Sequence, residues 1–140
     1  MSDLRDEFSK IVLDKVLSEF KITVRAGNID ALKGLTESVS ALANGTPTKI
    51  DENTLTSTVS VNKASPLNVA LKLTSKLKEC FIIKLLEDKL EVEKIECPPC
   101  EEGAFTKMPD KYFLLEDGRV VEKRDANVYL VYVCRFKKSQ

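Results

Sequence analysis

Cys97-Pro98-Pro99-Cys100 is a close pair of reactive side chains in a sequence with no histidine and only two other cysteines, Cys80 and Cys134. Two thiols at this spacing can supply half of a tetrathiolate zinc site, because a tight turn aims both sulfurs at one ion and prolines pre-set its bend. They can form a dithiol redox centre, or they can close a strand and do no chemistry at all. Zinc without histidine would need Cys80, Cys97, Cys100 and Cys134 together. The number of ligands fits, but the common pattern has two such knuckles and this chain has one. Redox chemistry is disfavoured, since Pro98 and Pro99 have no amide hydrogen to hold a thiolate and Glu96, Glu101 and Glu102 oppose its charge. The preferred reading is a strand ending in a proline turn, with Cys80 and Cys134 as small core hydrophobes and no cofactor.

Other chemistry finds little support. Without histidine, the usual neutral-pH proton shuttle and the triads built on it are missing, so acid-base work would fall to carboxylates, lysines or tyrosines. Glu91, Glu93 and Glu96 alternate as the solvated face of a strand does. Glu87-Asp88 and Glu116-Asp117 read as hairpin turns, because they lack the spaced oxygen ligands of a calcium loop. The five glycines form neither a dinucleotide fingerprint nor a phosphate-cradling loop.

The 22 basic residues are cancelled by 22 acidic ones, which removes the electrostatic footprint of general nucleic-acid binding. The start of the chain lacks the basic-then-apolar layout of a signal peptide, and the apolar run 128–134 is far short of a bilayer span. The expectation is therefore a cytoplasmic or otherwise intracellular protein with no membrane association, its four cysteines kept as thiols or metal ligands.

The elements that would position these groups fall into two parts. Within residues 1–45, Asp3 can cap a helix that carries Leu4, Phe8, Ile11 and Val12 at helical spacing. Val12, Leu13, Val16, Leu17 and Phe20 then point away from that first face, so the helix is expected to be apolar on several sides. A second helix starts after Asn28 and stops at Asn44-Gly45, with Leu32, Leu35, Val39 and Leu42 as one narrow stripe.

From residue 54 to 137 the period becomes two. Strands are expected over 55–61 and 69–73, in a hairpin of 80–86 with 90–97, in a second hairpin of 112–115 with 119–123 turned at Asp117-Gly118, and over 127–136. Apolar residues on both faces of 128–134 place that last strand inside the sheet. The predicted fold is one α+β domain, a helical pair followed by a mostly antiparallel sheet of about six strands.

The functional expectation is a small non-catalytic interaction or assembly module of the kind used as viral or phage accessory proteins. It would self-associate through Phe8, Val12, Leu13, Val16, Leu17 and Phe20, with protein, chiefly itself, as partner and nucleic acid disfavoured. A four-cysteine zinc domain binding nucleic acid or protein is the second reading. An enzyme of unrecognised type, using carboxylates or Cys97, is the third.

Overall fold

The computed structural model describes residues 4–98, 111–115 and 118–133. In chain order the elements are α1 (Leu4–Ser9), β1 (Leu17–Arg25), α2 (Ile29–Ala43), β2 (Thr46–Pro47), β3 (Thr56–Ala64), α3 (Pro66–Lys76), β4 (Phe81–Leu86), β5 (Lys89–Lys94), β6 (Tyr112–Leu114), β7 (Arg119–Asp125) and β8 (Val128–Val133). Helices and a large sheet make an α+β fold, but the helices are not an N-terminal pair. Among the described residues the sheet has eight strands in the order β2-β3-β1-β5-β4-β8-β7-β6. It is mixed, because β1 runs parallel to β5 while the other pairings are antiparallel.

Two elements differ from the sequence expectation for identifiable reasons. The long first helix ends at Ser9, and its second half is strand β1. Phe20, Ile22 and Val24 alternate with Lys21, Thr23 and Arg25, and only an extended chain puts the first three on one face. All three are buried, and β3 and β5 hydrogen-bond to the two sides of β1. Between helix and strand, the Leu13 N–H donates to the Glu87 carbonyl at 3.0 Å and the Leu13 carbonyl accepts from Leu67 N–H at 3.1 Å. The backbone there serves the β4–β5 turn and the start of α3, so it is not free to continue a helix.

The second difference is α3, where alternation over 69–73 suggested a strand. Ser65 caps the helix by accepting from Asn68 N–H at 3.3 Å, and Pro66 occupies the first turn, where its missing N–H costs nothing. Leu67, Ala70, Leu73 and Thr74 then share a buried face at helical spacing. Helix α2 matches its expected limits. The Asn28 side chain accepts from Ala31 N–H at 2.8 Å, and Asn44 ends the helix in the left-handed conformation.

The helices cover one face of the sheet. Leu32, Leu35 and Val39 of α2 and Leu67, Ala70 and Leu73 of α3 share a core with Phe20, Ile22, Val24, Val59, Val61, Leu90 and Val92. Each fully buried Leu or Ile contributes about 1.5–3 kcal/mol through burial. Inside this layer the Thr36 hydroxyl donates to the Leu32 carbonyl at 2.6 Å, leaving the Ser57 hydroxyl to donate to Thr36, also at 2.6 Å. Strand β8 lies between β4 and β7, the interior place its two apolar faces called for. Tyr129 and Val131 face the helices, while Leu130 and Tyr132 join Cys80 and Val120 in a smaller cluster on the opposite face. No helix among the described residues is long and apolar enough to cross a membrane.

Candidate functional site

Cys80 stands just before β4 and Cys97 just after β5, and Ile95 N–H donates to the Cys80 carbonyl at 3.1 Å, prolonging the hairpin ladder. That pairing brings the two Cα atoms to 5.2 Å, within bridging distance, and the sulfurs form a disulfide. The expectation of thiols or metal ligands is overturned at these two positions, because disulfide sulfurs have no thiolate to offer. Compartment reasoning missed this; the β4–β5 hairpin, whose register continues to Cys80 opposite Ile95 and so leaves Cys97 two residues beyond, was the signal that could have found it. Cys100 and Cys134 lie outside the described residues. Among the described residues, no group of three or more His, Cys, Asp or Glu side chains could hold a metal ion.

The six residues expected on a sticky helix are dispersed. Phe8, Val12 and Phe20 are buried within the subunit, Leu13 and Leu17 are half-buried, and Val16 is 65% exposed between α1 and β1. The Phe8 ring packs on Tyr129 with centroids 4.9 Å apart. Its neighbour Glu7 accepts from the Tyr129 hydroxyl at 2.7 Å and from Lys123 Nζ at 2.8 Å. Burial pushes the Glu7 carboxyl up, yet the bonds from Lys123 and Tyr129 and the charges of Lys123 and Lys10 outweigh it and hold the group below its usual range. Burial and the same carboxylate push the Tyr129 hydroxyl well above the ordinary tyrosine value. This pair ties α1 to the sheet, and its atoms are consumed in doing so.

On the small-cluster face, Glu122 accepts from Arg124 Nε at 2.6 Å and from the Tyr132 hydroxyl at 3.4 Å. Burial first, and then the Glu122 charge, push the Tyr132 hydroxyl up to about 12.

The remaining chemistry lies on the sheet face turned away from the helices. Strand registers set two rows across β3, β1, β5, β4 and β8. One row is Thr58, Thr23, Glu91, Lys84 and Val128, and the next is Thr56, Arg25, Glu93, Ile82 and Leu130. A hollow of about 390 Å³, open to solvent, lies between them and is lined by Thr23, Arg25, Lys84, Glu91, Glu93, Ile82 and Val128. Among the described residues, no hydrogen bond or ion pair engages the side chains of Arg25, Lys84, Glu91 or Glu93. Two cations and two anions at adjacent register positions thus face outward over the middle of the sheet. Sequence reading recognised the alternating glutamates as a wet strand face. It could not see Arg25 or Lys84 beside them, because the parallel pairing of β1 with β5 joins positions far apart in the chain.

No family model matches the chain, and no curated protein or solved structure shows significant similarity to it.

Proposed function

We propose that the chain is a non-catalytic protein-interaction or assembly module that works through the exposed charged patch over β1, β5 and β4, on the sheet face turned away from the helices. The observation that carries this reading is the set of four charged side chains, unengaged among the described residues, around a shallow hollow over the parallel β1–β5 pair. On the face turned away from the helices, Val120, Leu130 and Tyr132 over β7 and β8 are buried, so the exposed part is the charged patch over β1, β5 and β4. A partner laid there would neutralise its charges. Catalysis is disfavoured by the shallowness of the site, which leaves its carboxylates and cations in water, where they gain little electrostatic leverage. Glu7 and Tyr129 are already spent on their bonds to each other and to Lys123.

Position-specific crosslinking tests the reading. A photoreactive benzoylphenylalanine at Thr23, on the open face, should give one discrete protein adduct in the cells that make the chain, and the same group at Lys33, on the exposed side of α2, should give none. Adducts from Lys33 with none from Thr23 would reject the open face as the working surface.

A further inference from the structure

We infer that the occupant of this patch is a single α-helix of a different protein, lying along β5 and carrying two basic residues one turn apart with an acidic residue on each flank. The inference rests on the patch being the interaction surface. Its limits set the size of the occupant. Beyond β4, Leu130, Tyr132 and Val120 are buried, so the charged strip is confined to β1, β5 and β4. Three neighbouring strands span about 10 Å from centre to centre, which matches one helix of about 10–12 Å diameter. A second sheet is too broad for that strip. An extended segment would fit by width, but the face of a sheet offers it no free backbone edge, so its own N–H and C=O groups would lose water without gaining partners. A helix bonds its backbone internally and brings only side chains to the contact.

The charges set its chemistry. Glu91 and Glu93 share the outward face of β5 about 6.6 Å apart, and residues three or four apart on a helix are separated by about 4.5–6 Å along its axis. Two lysines or arginines at that helical spacing would each face one glutamate. Arg25 lies beside Glu93 on β1, and Lys84 lies beside Glu91 on β4. The two cations therefore sit on opposite flanks of β5 and are offset along it, and an acidic residue on each flank of the helix would meet them. The sequence Glu-Lys-x-x-Lys-Glu has this layout. Ile82 and Val128, both half-buried, add apolar contact beside the charges. The described helices of this chain lack the pattern: α1 has Arg5 alone, α2 has Lys33 alone, and α3 has Lys72 and Lys76 but no acidic residue. That selects a different protein over a second copy.

The test is a heteronuclear NMR titration of the full chain with two stapled helical peptides, up to about 1 mM, the range of a weak polar contact. One carries Glu-Lys-Ala-Ala-Lys-Glu at its centre, and the other carries Lys-Glu-Ala-Ala-Glu-Lys, which exchanges the signs at constant composition. The first should bind and shift the amides of Thr23, Arg25, Lys84, Glu91 and Glu93. The second should bind at least about tenfold more weakly, because four surface ion pairs turn repulsive. Glu91→Lys/Glu93→Lys should weaken the first peptide by about tenfold. If that variant unfolds by circular dichroism, Glu91→Gln/Glu93→Gln replaces it and should weaken the first peptide by about threefold. Equal binding of the two peptides, shifts confined to other residues, or no binding at all overturns the inference. In cells, the segment crosslinked at Thr23 should be a helix of a different protein with this charge pattern. A Thr23 adduct to a second copy, or to a segment without the pattern, rejects the helical partner and keeps the interaction module, while no peptide binding together with no Thr23 adduct rejects both.

Discussion

Removing the Cys80–Cys97 bridge should destabilise the protein mainly by releasing its unfolded chain. The bridge spans 17 residues. Chain-entropy arithmetic for a closed loop of that size gives about −10 cal/mol/K, or about 3 kcal/mol at 25 °C. Packing contributes little beside this, since Cys80 is a small buried side chain and Cys97 is exposed. The assay is urea unfolding of the wild type against Cys80→Ala/Cys97→Ala, both without reductant, followed by far-UV circular dichroism. The double variant should lose about 3 kcal/mol and unfold with a steeper denaturant dependence, because its unlinked chain exposes more surface. Alkylation of the native wild type, followed by peptide mass analysis, should leave Cys80 and Cys97 unmodified. Labelling of both thiols in protein purified without reductant, or a loss below about 1 kcal/mol, would refute the reasoning.

Glu7→Gln should cost about 1.5–3 kcal/mol at pH 7, since it removes the charge that Lys123 and Tyr129 bond. The native Glu7 carboxyl lies below 4.5, so its contribution is complete above that pH and fades as pH falls through the lowered native value. Acid unfolding of the variant should therefore be flatter than that of the wild type below about pH 4.5, read by chemical denaturation at a series of pH values. Gly45→Ala and Gly34→Ala should move stability in opposite directions. A Cβ at Gly45 meets the Ser60 carbonyl oxygen at 2.8 Å and a Val59 methyl at 2.6 Å, costing about 1–3 kcal/mol, whereas a Cβ at Gly34 on α2 meets nothing within 4 Å and should gain about 0.5–1 kcal/mol by thermal melt. At high pH, Tyr132 ionises at about 12 when folded and near 10 when unfolded, so its share of stability is intact below pH 10 and is lost as pH rises towards 12. Absorbance at about 295 nm should show that Tyr129 and Tyr132 stay neutral until the fold opens, and early ionisation of both would count against their burial.

Legibility in the sequence followed the range of the interactions involved. Helix α2 was readable because its caps are its own neighbours, Asn28 and Asn44. The β4–β5 and β6–β7 hairpins were readable because their turns are local, and β8 because apolar residues on both faces require two covered sides. Strand β1 was missed although Phe20, Ile22 and Val24 alternate plainly, since the preceding apolar residues keep helical spacing and the change of period at residue 17 has no glycine or proline to mark it. Helix α3 was missed for the opposite reason: a short alternation outweighed the Ser65-Pro66 start signal. The open face could not be read at all, because Arg25 and Lys84 reach Glu91 and Glu93 only through the pairing of β1, β5 and β4.

The β4–β5 hairpin links the disulfide to the charged hollow. Its register opposes Lys84 to Glu91 and Ile82 to Glu93 on the open face, while Phe81, Ile83 and Leu85 go to the core. A slip of one residue would exchange the faces, burying Lys84 and exposing Ile83 and Leu85. Three features hold it against that slip: the Glu87-Asp88 turn at one end, whose Glu87 carbonyl is bonded by Leu13; β1 and β8 on its flanks; and the Cys80–Cys97 bridge at the other end. Flat polar faces specify register weakly, because exchanging one solvated side chain for another costs little. In this hairpin the core-facing residues and the covalent bridge fix the register, so the outward charges stay free to be arranged for a partner.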